Sequence, residues 1–154
     1  MLKIYNIKEK LEYLEEVVIL TRLEWGEKAE SKEVFNNKVQ TKIKSIINEL
    51  DNLYFAILIL LDDDNLVGFI SLFENDSIER LDLKPWYATM YVKKEYRGNG
   101  YSRILNDAIL KEAKIRGFNK VYLKTDLVNY YEKFGAIYLG DLKNKEKLYY
   151  IDIK

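Results

Sequence analysis

The chain has 154 residues, 48% hydrophobic and 32% charged, which suits one domain spanning residues 1–154. It contains 0 His and 0 Cys, which excludes Ser-His-Asp and Cys-His nucleophiles, zinc–thiolate sites, haem ligation by His and disulfides. Lys+Arg 25 balance Asp+Glu 25, so no basic surplus points to a nucleic-acid partner.

Asn6 and Glu9 have capping-box spacing, and Leu11, Leu14 and Val18 recur at helical intervals, so a first helix is expected over Ile7 to Arg22. Leu23-Glu24-Trp25-Gly26-Glu27 breaks that pattern. Ser31 can cap a second helix, whose apolar stripe is Phe35, Val39, Ile43, Ile46, Ile47 and Leu50. The run Leu53–Leu61 reads as a buried strand. It falls far short of the ~20 apolar residues a membrane span needs. The turn Asp62-Asp63-Asp64-Asn65 and a strand over Leu66–Phe73 complete a hairpin.

An acidic connection, Glu74 to Lys84, leads to a third strand over Pro85–Val92. Strict alternation would place Trp86, Ala88, Met90 and Val92 on one face. After the segment 93–100 comes a helix with Tyr101, Ile104, Leu105, Ala108, Ile109 and Ala113 buried, stopped by Gly117. Phe118–Lys124 is the next strand, Asn129 to Phe134 a short helix, and Ile137–Gly140 and Lys147–Ile153 the last strands. The order ααβββαβαββ is an α/β domain with a mixed sheet. The N-terminal segment has acids and no signal-like apolar core, so a cytoplasmic protein without a membrane partner is expected. The Lys, Ile, Asn and Tyr bias suits an AT-rich bacterial genome.

The chemically informative unit is Arg97-Gly98-Asn99-Gly100-Tyr101-Ser102, between a strand and a helix. Glycines there allow positive φ and close backbone approach, and the helix start offers free N–H groups to an anion such as a pyrophosphate. Arg97 adds a permanent charge. Three readings compete: a plain turn, a dinucleotide fingerprint, and an acyl-CoA phosphate loop. The fingerprint is weakened by Arg103 at its third glycine position and by the roughly 90 residues preceding the motif. A P-loop is ruled out, because no GxxxxGK run exists.

The third reading rests on a resemblance. Arg97 to Ser102 is similar to the [Q/R]-x-x-G-x-[G/A] loop of the GCN5-related N-acetyltransferase (GNAT) superfamily, with Ser102 departing from Gly/Ala. Asn129 to Ala136 resembles that family's xxYEKxGF segment, with Ala136 departing from Phe. The element order resembles the family fold along nearly the whole chain. The implied fold is a mostly antiparallel mixed sheet flanked by helices and splayed between its fourth and fifth strands, here Pro85–Val92 and Phe118–Lys124.

By this resemblance, acetyl-CoA is the cosubstrate and no metal is needed. Tyr91 and Val92 would bond its pantetheine arm through their backbones. Gly98, Asn99, Gly100, Tyr101 and Ser102 would offer N–H groups to the pyrophosphate and Arg97 a charge. Asn129 and Lys133 would touch the rest of the molecule. The reaction is direct: a neutral amine attacks the thioester, backbone N–H near Val92 polarises the carbonyl, and Tyr131 protonates the departing thiolate. Tyr131 is also readable as packing, one of 13 Tyr.

The base is expected to be a carboxylate acting through water, since His is absent. Glu24 and Asp82 lie in the loops expected to frame the acceptor, followed by Glu79; each is also readable as a solvated surface acid or helix cap. Trp25 and Trp86 can wall the acceptor pocket, with Trp86 alternatively a core residue. Glu24, Glu27, Glu74, Asp76, Glu79 and Asp82 together favour a small cationic amine as acceptor. The other class of reading is a non-catalytic acyl-CoA sensor or partner-binding module on the same fold. A homodimer is compatible with the resemblance.

Overall fold

Strand β1 (Leu2–Asn6) opens a computed structural model that describes residues 1–153. It lies outside the expected elements: five half-exposed residues carry too little pattern to announce a strand, and its pairing with β2 supplies what the sequence does not. The Asn6–Glu9 capping box forms, but it caps only a tight turn over Ile7–Glu9. Lys10 takes φ −141°, which no helix accommodates, so helix α1 starts later than expected and runs Leu14–Trp25. Helix α2 (Lys32–Glu49) is capped as expected, with the Ser31 hydroxyl accepting from the Val34 N–H at 3.2 Å.

The β2–β3 hairpin follows (Ala56–Asp62 and Asn65–Phe73), then β4 (Trp86–Val92), α3 (Tyr101–Ile115), β5 (Lys120–Thr125), β6 (Ile137–Asp141) and β7 (Lys147–Asp152). The helix expected over Asn129 to Phe134 contracts to one tight turn, Tyr131–Phe134. Asn129 at φ 58° and Gly135 at φ 87° interrupt helical backbone on either side. Among the described residues no helix is long and apolar enough to cross a membrane.

The strands form one sheet in the order β1-β2-β3-β4-β5-β7-β6, antiparallel except for the β4–β5 pair. β2 explains why its run is apolar throughout: both faces are covered. Ala56, Leu58 and Leu60 pack with Leu105 and Ile109 of α3. Ile57, Ile59 and Leu61 pack with Val17, Val18, Val39 and Ile46 of α1 and α2. Each such buried Val, Leu or Ile side chain contributes about 1.5–3 kcal/mol.

One irregularity reorders β4. Tyr91 pairs with Phe69 and Ala88 with Ser71, so two residues, Thr89 and Met90, stand opposite Ile70 alone. This is a β-bulge, and Thr89 sits in it at φ 50°, a rare conformation for a β-branched residue. Alternation therefore breaks at Thr89. Met90 and Val92 share the α3 face with Tyr87, whereas Trp86 packs with Leu142, Leu148 and Phe73. The single face expected for Trp86, Ala88, Met90 and Val92 does not form.

Candidate active site

β4 and β5 touch only at their base. Trp86 opposite Tyr122 is their one register pair, and the Tyr122 N–H donates to the Pro85 carbonyl at 3.0 Å. Beyond that point the strands part. The Met90–Val92 end of β4 has a partner on its β3 side only and borders a cavity of about 540 Å³. Unpaired strand backbone at a cavity wall can bond an extended ligand as a strand would. Gly68 lets β3 approach here, because a Cβ on it would meet the Tyr91 carbonyl oxygen at 2.4 Å. Gly68→Ala should therefore cost about 1–3 kcal/mol, read as a lower urea midpoint at unchanged slope.

The phosphate-loop candidate lies across the cavity. Gly98 and Gly100 both take left-handed backbone, at φ 83° and 76°. A Cβ on either would point into open space, so conformation rather than crowding demands glycine. Gly100 is the N-cap of α3 and offers no side-chain cap; the Arg103 N–H donates to the Gly100 carbonyl at 3.2 Å, and the Tyr101 and Ser102 N–H groups stay available to an anion. The Asn99 amide donates to the Tyr96 carbonyl at 3.0 Å and stiffens the loop. Arg97 donates from Nε to the Val92 carbonyl at 2.8 Å and lies over the Tyr91 ring, 5.6 Å from its centroid, which couples the loop to β4. Arg97, Gly98, Gly100 and Ser102 all line the cavity.

The third wall is the Tyr131–Phe134 turn. It is clamped from two sides: Glu132 accepts from the Tyr149 hydroxyl at 3.1 Å, and Arg103 donates to the Lys133 carbonyl at 3.1 Å. The Tyr131 ring packs edge-on against Tyr87 and Tyr130, at centroid separations of 5.9 and 4.8 Å. Burial, and then Tyr130, push the Tyr131 phenol up to about 12, so it is protonated at neutral pH. Its hydroxyl bonds to no other described residue and belongs to the cavity lining. Lys133, Tyr130 and Leu127 line the same wall.

A second cavity, about 560 Å³, opens on the α1–α2 face. Trp25 lines both cavities, with its ring 6.3 Å from that of Tyr91. Thr89 lines the second cavity and the adjacent Met90 the first, so the bulge separates them. Thr89 Oγ1 donates to Ser71 Oγ at 2.6 Å beside that junction.

The structure thus brings together Glu24, Trp25, Tyr91, Val92, Arg97, Gly98, Gly100, Ser102, Tyr131 and Lys133. Asn99 braces the loop, Tyr101 packs against Tyr96, and Asn129 is an exposed left-handed turn residue; none of the three lines the cavity. Three expectations are corrected. Trp86 walls no pocket: it is 0% exposed, and its indole donates to the Leu83 carbonyl at 2.8 Å. Asp82 precedes the closed end of β4, exposed and paired to Arg80 by two 3.0 Å hydrogen bonds, which hold its carboxyl below the usual range. Glu79 accepts from the Lys143 N–H at 2.8 Å, fastening its loop to the β6–β7 turn. Neither acid lines a cavity.

The acids expected to attract a cation are therefore dispersed. Asp76, which burial pushes up to about 6, is influenced by Lys124 and Glu146 beside β5 and β7. Only Glu24 of the six lies on a cavity wall. The sequence reading also passes over Ser71, Thr89, Met90 and the α2 residues of the second cavity. The spacing of Lys38, Thr41, Lys42 and Ser45 was their one available signal, a polar stripe along one side of an otherwise amphipathic helix.

Comparison with known proteins bears on this arrangement. No curated protein sequence matches the chain. Among solved structures, the PaiA N-acetyltransferase of Thermoplasma acidophilum, in complex with coenzyme A, is 22% identical with TM-score 0.68, covering 99% of both chains. An aminoglycoside 6'-N-acetyltransferase complexed with coenzyme A is 20% identical with TM-score 0.73, over 99% of this chain and 97% of that one. The spermidine/spermine N-acetyltransferase SpeG of Vibrio cholerae is 19% identical with TM-score 0.70, over 99% and 95%. At these identities the likeness is one of fold. The model of the acetyltransferase (GNAT) family matches residues 14–136, most of the chain and both walls of the fork. The chain belongs to the GNAT acetyltransferase family.

Proposed function

We propose that the protein is an N-acetyltransferase that moves an acetyl group from acetyl-CoA directly to a primary amine of a small acceptor, acting in the cytoplasm. One observation carries this reading. The unpaired end of β4, the left-handed glycine loop and the free hydroxyl of Tyr131 meet around a single cavity.

The residues present fit acetyl-CoA. Backbone groups of Tyr91 and Val92 suit an amide-bearing arm laid along β4, and the loop N–H groups with Arg97 suit a pyrophosphate. When bound, acetyl-CoA supplies the activated acyl group. The bulge turns backbone at Thr89 and Met90 out of the ladder, where an N–H can meet developing negative charge on an oxygen. Tyr131 holds a proton at its Oη for a leaving thiolate. Glu24, the carboxylate on the cavity wall, is the residue placed to accept a proton from the amine through water.

Acetyl-CoA, but not NAD, should raise the melting temperature, by the mass action of a ligand that binds only the folded state. Arg97→Ala should weaken that binding about tenfold, the worth of one charge-assisted contact. Binding of acetyl-CoA with no thiol released in the presence of any amine would replace the enzyme reading with that of an acyl-CoA sensor. Stabilisation by NAD instead would restore the dinucleotide reading of the glycine loop.

A further inference from the structure

The second cavity has a polarity that the transfer reading alone does not specify. Its floor is apolar, built from Val17, Val18, Ile46, Ile57 and Phe73. At one end stand the Ser71 and Thr89 hydroxyls, beside the bulge and the first cavity. At the rim stand Arg22, Lys38 and Lys42, and no Asp or Glu lines the cavity.

Two of the three cations share one carboxylate. Glu30, its side chain 4% exposed, accepts from Arg22 and from Lys38 Nζ, the latter at 2.8 Å. Those two cations hold it near 2, so it stays ionised and is fully engaged. Lys42 has no hydrogen-bond or ion-pair partner among the described residues. It lies one helical turn beyond Lys38, with Thr41 and Ser45 presented along the same side of α2. A cationic acceptor entering here would meet excess like charge; an anionic group would meet an unengaged ammonium flanked by hydroxyls.

We propose that the acceptor is a primary amine joined through an apolar spacer to an anionic group, carboxylate or phosphate, which Lys42 binds at the α2 rim. The amine then lies at the Ser71–Thr89 end, next to the proposed acetyl donor. The inference rests on the N-acetyltransferase reading and names the substrate class of that same site.

The test is calorimetric titration of acceptors onto protein saturated with CoA. The probes are aminohexanoate, its carboxamide, aminohexyl phosphate and spermidine. At least one anionic member should bind about tenfold more tightly than the carboxamide, and the two anionic probes against each other identify carboxylate or phosphate. Lys42→Gln, an exposed substitution, should abolish that preference while leaving carboxamide binding unchanged. Lys42→Glu should turn the preference toward spermidine. Equal binding of acid and carboxamide, tightest binding of spermidine to the unaltered protein, or an equal loss for both under Lys42→Gln would overturn the acceptor class. Those results would leave the transferase reading intact, provided CoA itself binds. A protein that binds no CoA would overturn both.

Discussion

Tyr131→Phe should lower kcat by about 100-fold while changing the Kd for CoA by less than about twofold. The ring is what packs: Tyr87, Tyr130 and Phe134 touch it edge-on or tilted, and phenylalanine preserves those contacts. The hydroxyl bonds to no other described residue, so its loss strands no partner and stability should hold. What disappears is the proton. With the phenol raised to about 12, ionisation of Tyr131 should cause no fall in kcat through the mildly alkaline range. Any alkaline fall below pH ~10 then belongs to another group, since an ordinary Tyr titrates there. Thiol release followed with a colorimetric reagent measures this directly, and the protein adds no thiol of its own because it has 0 Cys. An unchanged kcat would remove Tyr131 as the acid and leave it a packing residue.

Trp86→Ala should be the most destabilising single change to the fork. The side chain is fully buried among Leu142, Leu148 and Phe73, with Tyr122 tilted against it at 6.2 Å. Its removal leaves a cavity where β4 and β5 meet, for a cost of about 3–5 kcal/mol. In a domain this size that lowers Tm by roughly 10 °C. The Trp86–Tyr122 pair is also the one register pair holding the two strands together. CoA affinity should fall along with stability, even though Trp86 touches no cavity. Trp86→Phe should recover most of both. Loss of stability with CoA affinity unchanged would show that the fork is set by β3 and β7 rather than by its own base.

The legible parts of the site were those written locally. Arg97 to Ser102 declares itself because positive φ and a helix start within six residues restrict the chain to few residue types. Tyr131 stands out only through the resemblance of Asn129 to Ala136 to a family segment, and the structure sets it on the cavity wall. The apolar face of α3 follows from its period, and the β2–β3 hairpin from two apolar runs around a turn. What stayed hidden depends on partners distant in sequence. The bulge at Thr89 exists only in the register of β4 against β3, and without it Met90 and Val92 are assigned to the wrong face. Asp82 and Glu79 group with the site in the sequence because their loop leads into β4, and Trp86 because it opens that strand. Only the β4–β5 pairing reveals which end of that strand is open. β1 escaped notice for the same reason: five unremarkable residues become a strand only beside Leu58–Asp62.

The chain carries two tryptophans, and the fold has placed them as differently as two residues can be. Trp86 is sealed at 0% exposure, while Trp25 is 52% exposed at the junction of the two cavities. Their intrinsic emission should therefore divide into a short-wavelength component that changes when the sheet unfolds and a long-wavelength one that changes when either cavity fills. Trp25→Phe isolates the first signal and Trp86→Phe the second. A single native optical channel can then separate ligand occupancy from unfolding without an attached dye.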